Sequence, residues 1–583
     1  MALDLTQDQK NTGAANFAQA SADLTRQANP NDPTRRSFLK TAAATGAVLP
    51  VSAAVYFGYD QWKGMNPVRT AIIGTGDEGG VLIGEHNPEF TQIVATCDIR
   101  PYNQTRIFTG DGDGTKWDGK SPRKGLNHIY GEDKAKGIRR FETVADLLKA
   151  KDELKLEAVI IATPLVTHHG VAIECMNAGL HVLCEKLMAR RIEYCKEMIA
   201  AAKKNGVILS IGHQRHYSML YAHALEVVKS GVLGEVTHIR ALWHRNNSWP
   251  YTPKAGDPPI VPGTEPYYRD GWCPPLYQMD ADKITPDLLK GITFPGPDGQ
   301  PQQCFDDLEH LVRWRLYDKP GGGLMAELGS HQLDAASIFL GKVRPLSVQG
   351  VGGKFFYRPG KNDRESDDSV FVTYEFPGET HPKAGNGGTD DKDIVVVTYS
   401  SINTNSFESY GECLMGSRGT LIVESEGDAY LFKENQPGKA NSGGKGTNVT
   451  VTGKDGKAPV MEAASTWGGP ANSAVVKTGN TSGWGSLSRG YREEMEHFAF
   501  CVRTQQKAKL PGAELYKKGA DGKFVHAGML PRCHGEIAMA DAVLALTANL
   551  AMDNKTRIEF KPEWFDGDAT GKGTNPEDGF PTK

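Results

Sequence analysis

The chain has 583 residues, too many for one hydrophobic core, so two large domains with appendages are expected. Its formal charge is −4, from 66 basic and 70 acidic side chains without a long basic block, which excludes nucleic acid as the main partner. Nine scattered cysteines, none in a C-x-x-C pair, exclude a zinc ribbon or a small disulfide scaffold and read as buried thiols.

In chain order, residues 1–33 are rich in Asn, Gln, Asp and Ala and are expected to be disordered. Arg35-Arg36-Ser37-Phe38-Leu39-Lys40 follows, then a mild apolar run to Gly58 interrupted by Pro50. A spanning helix needs roughly 20 strongly apolar residues. Residues 34–58 therefore read as a twin-arginine export signal, with no stable membrane span. That implies the twin-arginine machinery as a partner, folding before transport, and a periplasmic destination.

From 68 to 215, the β-type runs "VRTAIIG", "QIVATCD", "AVIIAT", "HVLCE" and "VILSIG" alternate with helical patterns. Continuous apolar strands of this kind are covered on both faces, which predicts a doubly wound parallel α/β domain. From 216 to 565 the texture changes. A Pro-, Tyr- and Trp-rich excursion runs from 246 to about 304, and a helix is predicted from Leu324 to Leu340. Alternating strands such as "DSVFVTYEF" and "DIVVVTYSS" then predict a second α/β domain with a large open mixed or antiparallel sheet. Two final helices should pack on that sheet, and the tail, 566–583, is expected to be loose.

"AIIGTGDEGG" places Gly74, Gly76 and Gly79 in G-x-G-x-x-G spacing at the end of the first strand. Such glycines let backbone N–H groups approach a pyrophosphate at a helix N-terminus. Asp98 ends the next strand, about 20 residues on, where a carboxylate bonds the adenosine ribose and repels a 2′-phosphate. The cofactor expected is NAD; Arg100 softens the discrimination and keeps NADP as an alternative. In "ATPLVTHH", Thr163 and Pro164 would pass near the cofactor, and His168 would either face it or cap the next helix.

"CEKLMAR", "GHQRHYS" and "GGGLMAELGSHQLD", added to the glycine fingerprint, resemble the Gfo/Idh/MocA family of nicotinamide-dependent oxidoreductases. The resemblance implies a Rossmann domain followed by an α/β domain whose open sheet often serves oligomerisation, hence a homo-oligomer. It also implies a sugar, cyclitol or polyol substrate. The family's Glu-Lys-Pro motif is matched by Glu185-Lys186, with Leu187 in place of proline, and puts the lysine beside the nicotinamide. Its aspartate four residues before a histidine is matched by Glu327 and His331. An exported member would leave the cytoplasm with its cofactor tightly bound.

The residues themselves allow that chemistry. Oxidising a CH–OH group needs a proton acceptor near the nicotinamide, and a histidine such as His331 serves near neutral pH. Lys186 would orient the hydroxyl or stabilise the developing alkoxide. Glu327, His331 and Asp334 fall at i, i+4 and i+7, which on a regular helix share one face. His213, Arg215, Trp243, His244 and Arg245 are the other substrate-side candidates, offering cations for a carboxylate and an aromatic face for a ring. No metal site is expected: three ligands on one helix surround an ion poorly, and "DGDGTKWDGKSP" lacks the EF-hand glycine and glutamate. Two rival readings are a redox-neutral glycosidase or lyase using transient oxidation, and a non-catalytic sugar- or cofactor-binding protein.

Overall fold

The computed structural model describes residues 5–27, 53–62, 65–112, 118–246, 249–250, 252, 258–296, 299–434, 449–452, 460–463, 489–520 and 522–580. The Arg35-Arg36 signal core lies outside them.

Six strands, β1 (Val68–Ile73), β2 (Thr91–Cys97), β3 (Arg139–Phe141), β4 (Ala158–Ile161), β5 (His181–Glu185) and β6 (Leu209–Gly212), pair in parallel. Their order is β3-β2-β1-β4-β5-β6. Every residue of β4, β5 and β6 is buried, which is why these strands read as unbroken apolar runs. The order reverses between β1 and β4, and that reversal opens a crevice at their carboxyl ends. This is the Rossmann arrangement.

The second sheet has eight strands: β7 (Val236–His244), β8 (Ser347–Gly353), β9 (Ser369–Pro377), β10 (Ile394–Ile402), β11 (Tyr410–Gly416), β12 (Gly419–Glu424), β13 (Asp428–Lys433) and β14 (Ile558–Glu559). The order is β13-β12-β11-β7-β10-β9-β8-β14, mixed because β7 and β10 run parallel while their other neighbours are antiparallel. Burial alternates residue by residue along β10, so one face is packed and the other more open.

On the packed face lies the predicted helix of 324–340, which forms in two parts. A π-helical turn, Met325–Gly329, leads into an α-helix, Ser330–Phe339. The two last helices do not both pack on the second sheet. The helix Tyr491–Ala508 packs against β1, β2, β5 and β6 of the Rossmann sheet. The helix Gly535–Asp553 bridges the domains, touching β8 and Ser330–Phe339 on one side and β6 and the helix Ile192–Asn205 on the other. It is long and apolar enough to cross a membrane, but Ala542, Val543 and Ala545 are wholly buried in the core.

Two segments expected to lack structure are folded. Gln7–Gln27 is a helix lying along β13. Phe17 is buried there, Asn16 Nδ2 donates to Leu431 O at 2.9 Å, and Lys10 pairs with Glu424 at 2.7 Å. The tail docks at the start of Ile192–Asn205, where Ile192 N donates to Glu577 Oε1 at 2.8 Å and Lys196 Nζ to Thr574 O at 2.7 Å. Both are polar stretches ordered by surfaces far away in sequence, which composition does not reveal.

Candidate active site

The glycine turn is built for close approach. Gly74 has φ +85°, and a Cβ there would stand 2.4 Å from Ala162 O; one on Gly79 would meet Gly74 O at 2.2 Å. A Cβ on Gly76 would have only Asn103 Nδ2, at 3.7 Å, nearby, so Gly76 leaves the mouth of the turn open at the start of the helix Asp77–Glu85. Asp98 is fixed beside the turn: its Oδ2 accepts from Thr75 N at 2.7 Å and Asn103 Nδ2 at 3.1 Å, and its Oδ1 from Arg100 N at 2.8 Å. Thr163 and Pro164 are half-buried at the end of β4, on the crevice edge. These residues fit a dinucleotide: backbone donors at a helix start, a carboxylate at the second strand's end, and a glycine cradle that a side chain would fill.

Two expected cofactor residues turn elsewhere. His168 has Nδ1 2.9 Å from Leu187 O and Nε2 2.9 Å from Thr163 O, so it clamps the loop after β4 to the turn after β5. Glu185 points back beneath that turn, its Oε2 accepting from Lys186 N at 3.1 Å and its carboxylate packed against Gly212. Burial and the neighbouring Glu78 hold its acid well above the usual carboxylate range.

The Lys186–Leu187 peptide is cis. From this turn Lys186 Nζ donates to the backbone carbonyl of Glu327 at 2.9 Å, tying the Rossmann crevice to the π-turn that precedes His331. His331 is 7% exposed, and no protein group among the described residues bonds its ring nitrogens; Nδ1 is buried without a partner. Burial, then the charges of Lys186 and Arg215, hold its pKa well below 6.5, leaving a neutral imidazole able to accept a proton.

Glu327 does not orient His331. The π-turn is wider than an α-turn, so the i, i+4 alignment that a regular helix would give is lost. Its Oε2 instead accepts from Arg315 Nε at 2.6 Å. Burial alone would raise this acid, but Arg315 and Lys186 hold it below the usual range, as a carboxylate.

Among the substrate-side candidates, Trp243 lies at the site: its ring centroid is 5.5 Å from that of His331, and its ring also stacks on Tyr410 at 4.7 Å. Arg245 stacks on Trp272 at 4.6 Å, within electrostatic range of Arg315 and Glu327. The others are turned away. Arg215 is 1% exposed and bound to Glu412 at 3.0 Å and Glu426 at 2.8 Å. His244 alternates to the far side of β7, its nitrogens each 2.9 Å from Phe407 O and Ser400 Oγ. His213 is sealed in the interior, where burial pushes its pKa down to about 3. Asp334 is 2.8 Å from His216 Nε2 and also bonded to Lys342, which reaches Asp541 at 2.9 Å. Ligand-type atoms of His213, Asp334 and Asp541 lie within 4.8 Å of one another, but the Lys342 ammonium already supplies the positive charge there.

Comparison with known proteins bears on the lineage. Residues 68–213 match the family model described as an oxidoreductase family with an NAD-binding Rossmann fold, and residues 300–385 match the GFO/IDH/MocA C-terminal domain. Both segments match models of the Gfo/Idh/MocA family. It is 22% identical over 328 residues to a 2,7-anhydro-N-acetylneuraminate hydratase of Mediterraneibacter gnavus, covering 55% of this chain and 69% of that one. It is 30% identical over 210 residues to a glycosyl hydrolase family 109 protein of Stenotrophomonas maltophilia, covering 36% of this chain and 41% of that one. Across such curated relatives the chain spans about half their length, 52% of an uncharacterised Streptococcus pneumoniae oxidoreductase for instance. An inositol dehydrogenase homologue of Azotobacter vinelandii, solved with NADH and myo-inositol, shares the fold: TM-score 0.51, 14% identity, 85% of this chain and 98% of that one.

Two residues of the site escaped the sequence reading. Arg315, in "LVRWRLY", carries no motif signal, yet it neutralises Glu327. Asp280, from the excursion after β7, reaches across to the Rossmann domain: it accepts from Arg100 Nε at 2.9 Å and Tyr102 N at 3.0 Å, while Tyr277 stacks on Tyr102 at 4.1 Å. Only the arginine end of that pair was visible beforehand, as a residue near the ribose carboxylate.

Proposed function

We propose that the chain is an exported NAD-dependent oxidoreductase that oxidises or reduces a CH–OH group of a sugar, cyclitol or related polyol. The observation that carries this is the 2.9 Å bond from Lys186 Nζ to Glu327 O, which joins the cofactor crevice to the helix bearing His331. When bound, the nicotinamide supplies the hydride acceptor or donor. The protein's own groups do the rest. His331, neutral and with ring nitrogens that no protein group bonds among the described residues, takes the hydroxyl proton. Lys186 is the cation that orients that hydroxyl and stabilises the negative charge developing on its oxygen. Trp243 offers a ring face beside them.

NAD is favoured over NADP because Asp98 flanks the glycine turn and Arg100, the one nearby cation considered for a 2′-phosphate, is held by Asp280. The same Asp280 and Tyr277 contacts lay the excursion across the second strand's end, which supports tight retention of the cofactor. Export rests on Arg35-Arg36-Ser37-Phe38-Leu39-Lys40 and agrees with nine buried free cysteines, the usage of a protein folded in a reducing compartment. Oligomerisation is supported by Val351 and Phe371, cross-strand partners exposed on the outer face of the second sheet.

A redox-neutral reaction, in which a transiently oxidised substrate eliminates or hydrolyses before it is reduced again, is the second reading. The hydratase and glycosyl hydrolase relatives favour it. One experiment tests both. The exported protein is purified, its bound nicotinamide released and quantified, and sugars and glycosides supplied without added cofactor. A single stoichiometric burst of reduced nicotinamide indicates net oxidation. Steady turnover without net reduction indicates the redox-neutral route. Absence of bound nicotinamide together with no response to any sugar overturns both.

A further inference from the structure

Three guanidinium groups gather beside the cleft, but among the described residues carboxylates bond only two of them. Arg364 and Arg245 both stack on Trp272, at 5.2 and 4.6 Å. Arg364 is bonded to Asp270 at 2.6 Å, and Arg315 to Glu327 at 2.6 Å. Among the described residues no carboxylate bonds Arg245, although Asp270 lies within electrostatic range of it. Its only hydrogen bond among the described residues runs from Nε to Asn403 Oδ1, at 3.3 Å, and one of its amino nitrogens is buried without a partner. Burial and the like charges of Arg315 and Arg364, opposed by Asp270, depress its pKa only to about 10, so it remains a cation at neutral pH.

Asn403 repeats the pattern. It is wholly buried, its Oδ1 is occupied by Arg245, and its Nδ2 has no partner. Side by side, then, stand two unused donors and a positive charge that no carboxylate bonds among the described residues. Buried polar groups are normally satisfied, and an unsatisfied pair of donors next to a ligand cleft calls for an acceptor-only anion. Arg215 in the same protein shows the contrast, since two carboxylates hold it.

The position is set by the strand. Arg245 lies two residues beyond Trp243, so both leave the chain on the same side, and Trp243 is the residue whose ring meets His331. We propose that Arg245 and Asn403 receive a carboxylate of the substrate, which makes the substrate a sugar acid and not a neutral polyol. This rests on the sugar-oxidoreductase reading of the cleft and deepens it. A single surplus cation and a planar fork of donors match a carboxylate better than a dianionic phosphate.

The test is calorimetric titration of the full-length, nicotinamide-loaded protein with pairs that differ only in charge: D-glucuronate against D-glucose, and D-galacturonate against D-galactose, with glucose 6-phosphate beside them. The expected result is that at least one acid binds about 30-fold more tightly than its neutral partner. Arg245→Gln should reduce that preference to within about threefold, the size of a lost charge-assisted bond, without lowering bound nicotinamide. Asn403→Asp keeps the shape, supplies the missing counter-ion and should also abolish acid binding; it decides the matter if Arg245→Gln fails to fold. No preference for either acid, a preference that survives both variants, or selective binding of the phosphate overturns the proposal. Arg245-dependent acid binding with no hydride transfer to nicotinamide would instead sink the oxidoreductase reading and leave this one standing.

Discussion

The two sides of the helix Ser330–Phe339 use the same residue types to opposite ends. Behind it, Asp334, His216, Lys342 and Asp541 bond one another in the interior, and nearby Arg215 is shared by Glu412 and Glu426. In front of it, among the described residues, no protein group bonds the His331 ring nitrogens, no carboxylate bonds Arg245, and Lys186 is held by a single backbone carbonyl. A charge whose partners are all supplied by the protein contributes to the architecture. One left short of partners inside a cleft is available to a ligand. The difference lies in how completely each polar atom is satisfied, not in residue identity.

The comparison can be broken most sharply from the front. Lys186→Met and His331→Asn should each lower kcat by about 10²- to 10⁴-fold, the range for losing a positioned acid–base group. Bound nicotinamide and the unfolding midpoint should change little, and these are read on the same samples. Loss of the cofactor or of the fold in either variant would move that residue to the architectural side. Behind the helix, Asp334→Asn should do the reverse. It leaves His216 and Lys342 facing an uncharged amide in a site whose carboxylate side chain is 1% exposed, and breaking such a buried pair costs about 3 kcal/mol. Denaturant unfolding measures that loss, while kcat per folded molecule should stay within a few-fold.

Acid pH separates the two sides differently. Because His331 sits well below 6.5, the base form persists as pH falls, and the acidic limb of kcat/KM should lie below pH 6.5. Stability should decline in part of the same range. Burial holds His213 and His497 at about 3, and His86, His181 and His534 at about 4, whereas the unfolded chain protonates its histidines near 6.5. Between those values the unfolded state binds more protons, so stability falls as pH falls, by up to about 1.4 kcal/mol per pH unit for each histidine. Rates measured at short times, set against unfolding curves at the same pH, distinguish titration of His331 from loss of the fold.

What could be read in advance follows the same division. The strands of the Rossmann sheet were legible because burial on both faces leaves continuous apolar runs, and the mixed second sheet because half-burial leaves alternation. The glycine turn was legible because Gly74 and Gly79 have no room for any other side chain. Arg215 and Arg245 could not be told apart, since each lies next to aromatic and histidine residues and only the topology brings Glu412 and Glu426 to one of them. Glu327 was assigned to His331 on regular helical spacing, which the π-turn at Met325–Gly329 removes. Gln7–Gln27 and the tail were missed because each is ordered by a partner hundreds of residues away.

The smallest predicted effect concerns a contact that belongs to neither side. Asp280 is wholly buried and carries the excursion onto the Rossmann domain through Arg100 and Tyr102, next to the carboxylate of Asp98. Asp280→Asn keeps the size of the side chain and can still accept one hydrogen bond, but it removes the charge that restrains Arg100. The expected result is release of bound nicotinamide about tenfold faster, the equivalent of one charge-assisted hydrogen bond, with kcat on the retained fraction nearly unchanged. The release rate is followed by displacement with a fluorescent nucleotide. Freed from Asp280, Arg100 should also narrow the discrimination against NADP, which titration of the stripped protein with each dinucleotide would reveal. An unchanged release rate together with unchanged NADP affinity would make the Arg100–Asp280 pair a domain contact alone, and retention would then have to come from the crevice itself.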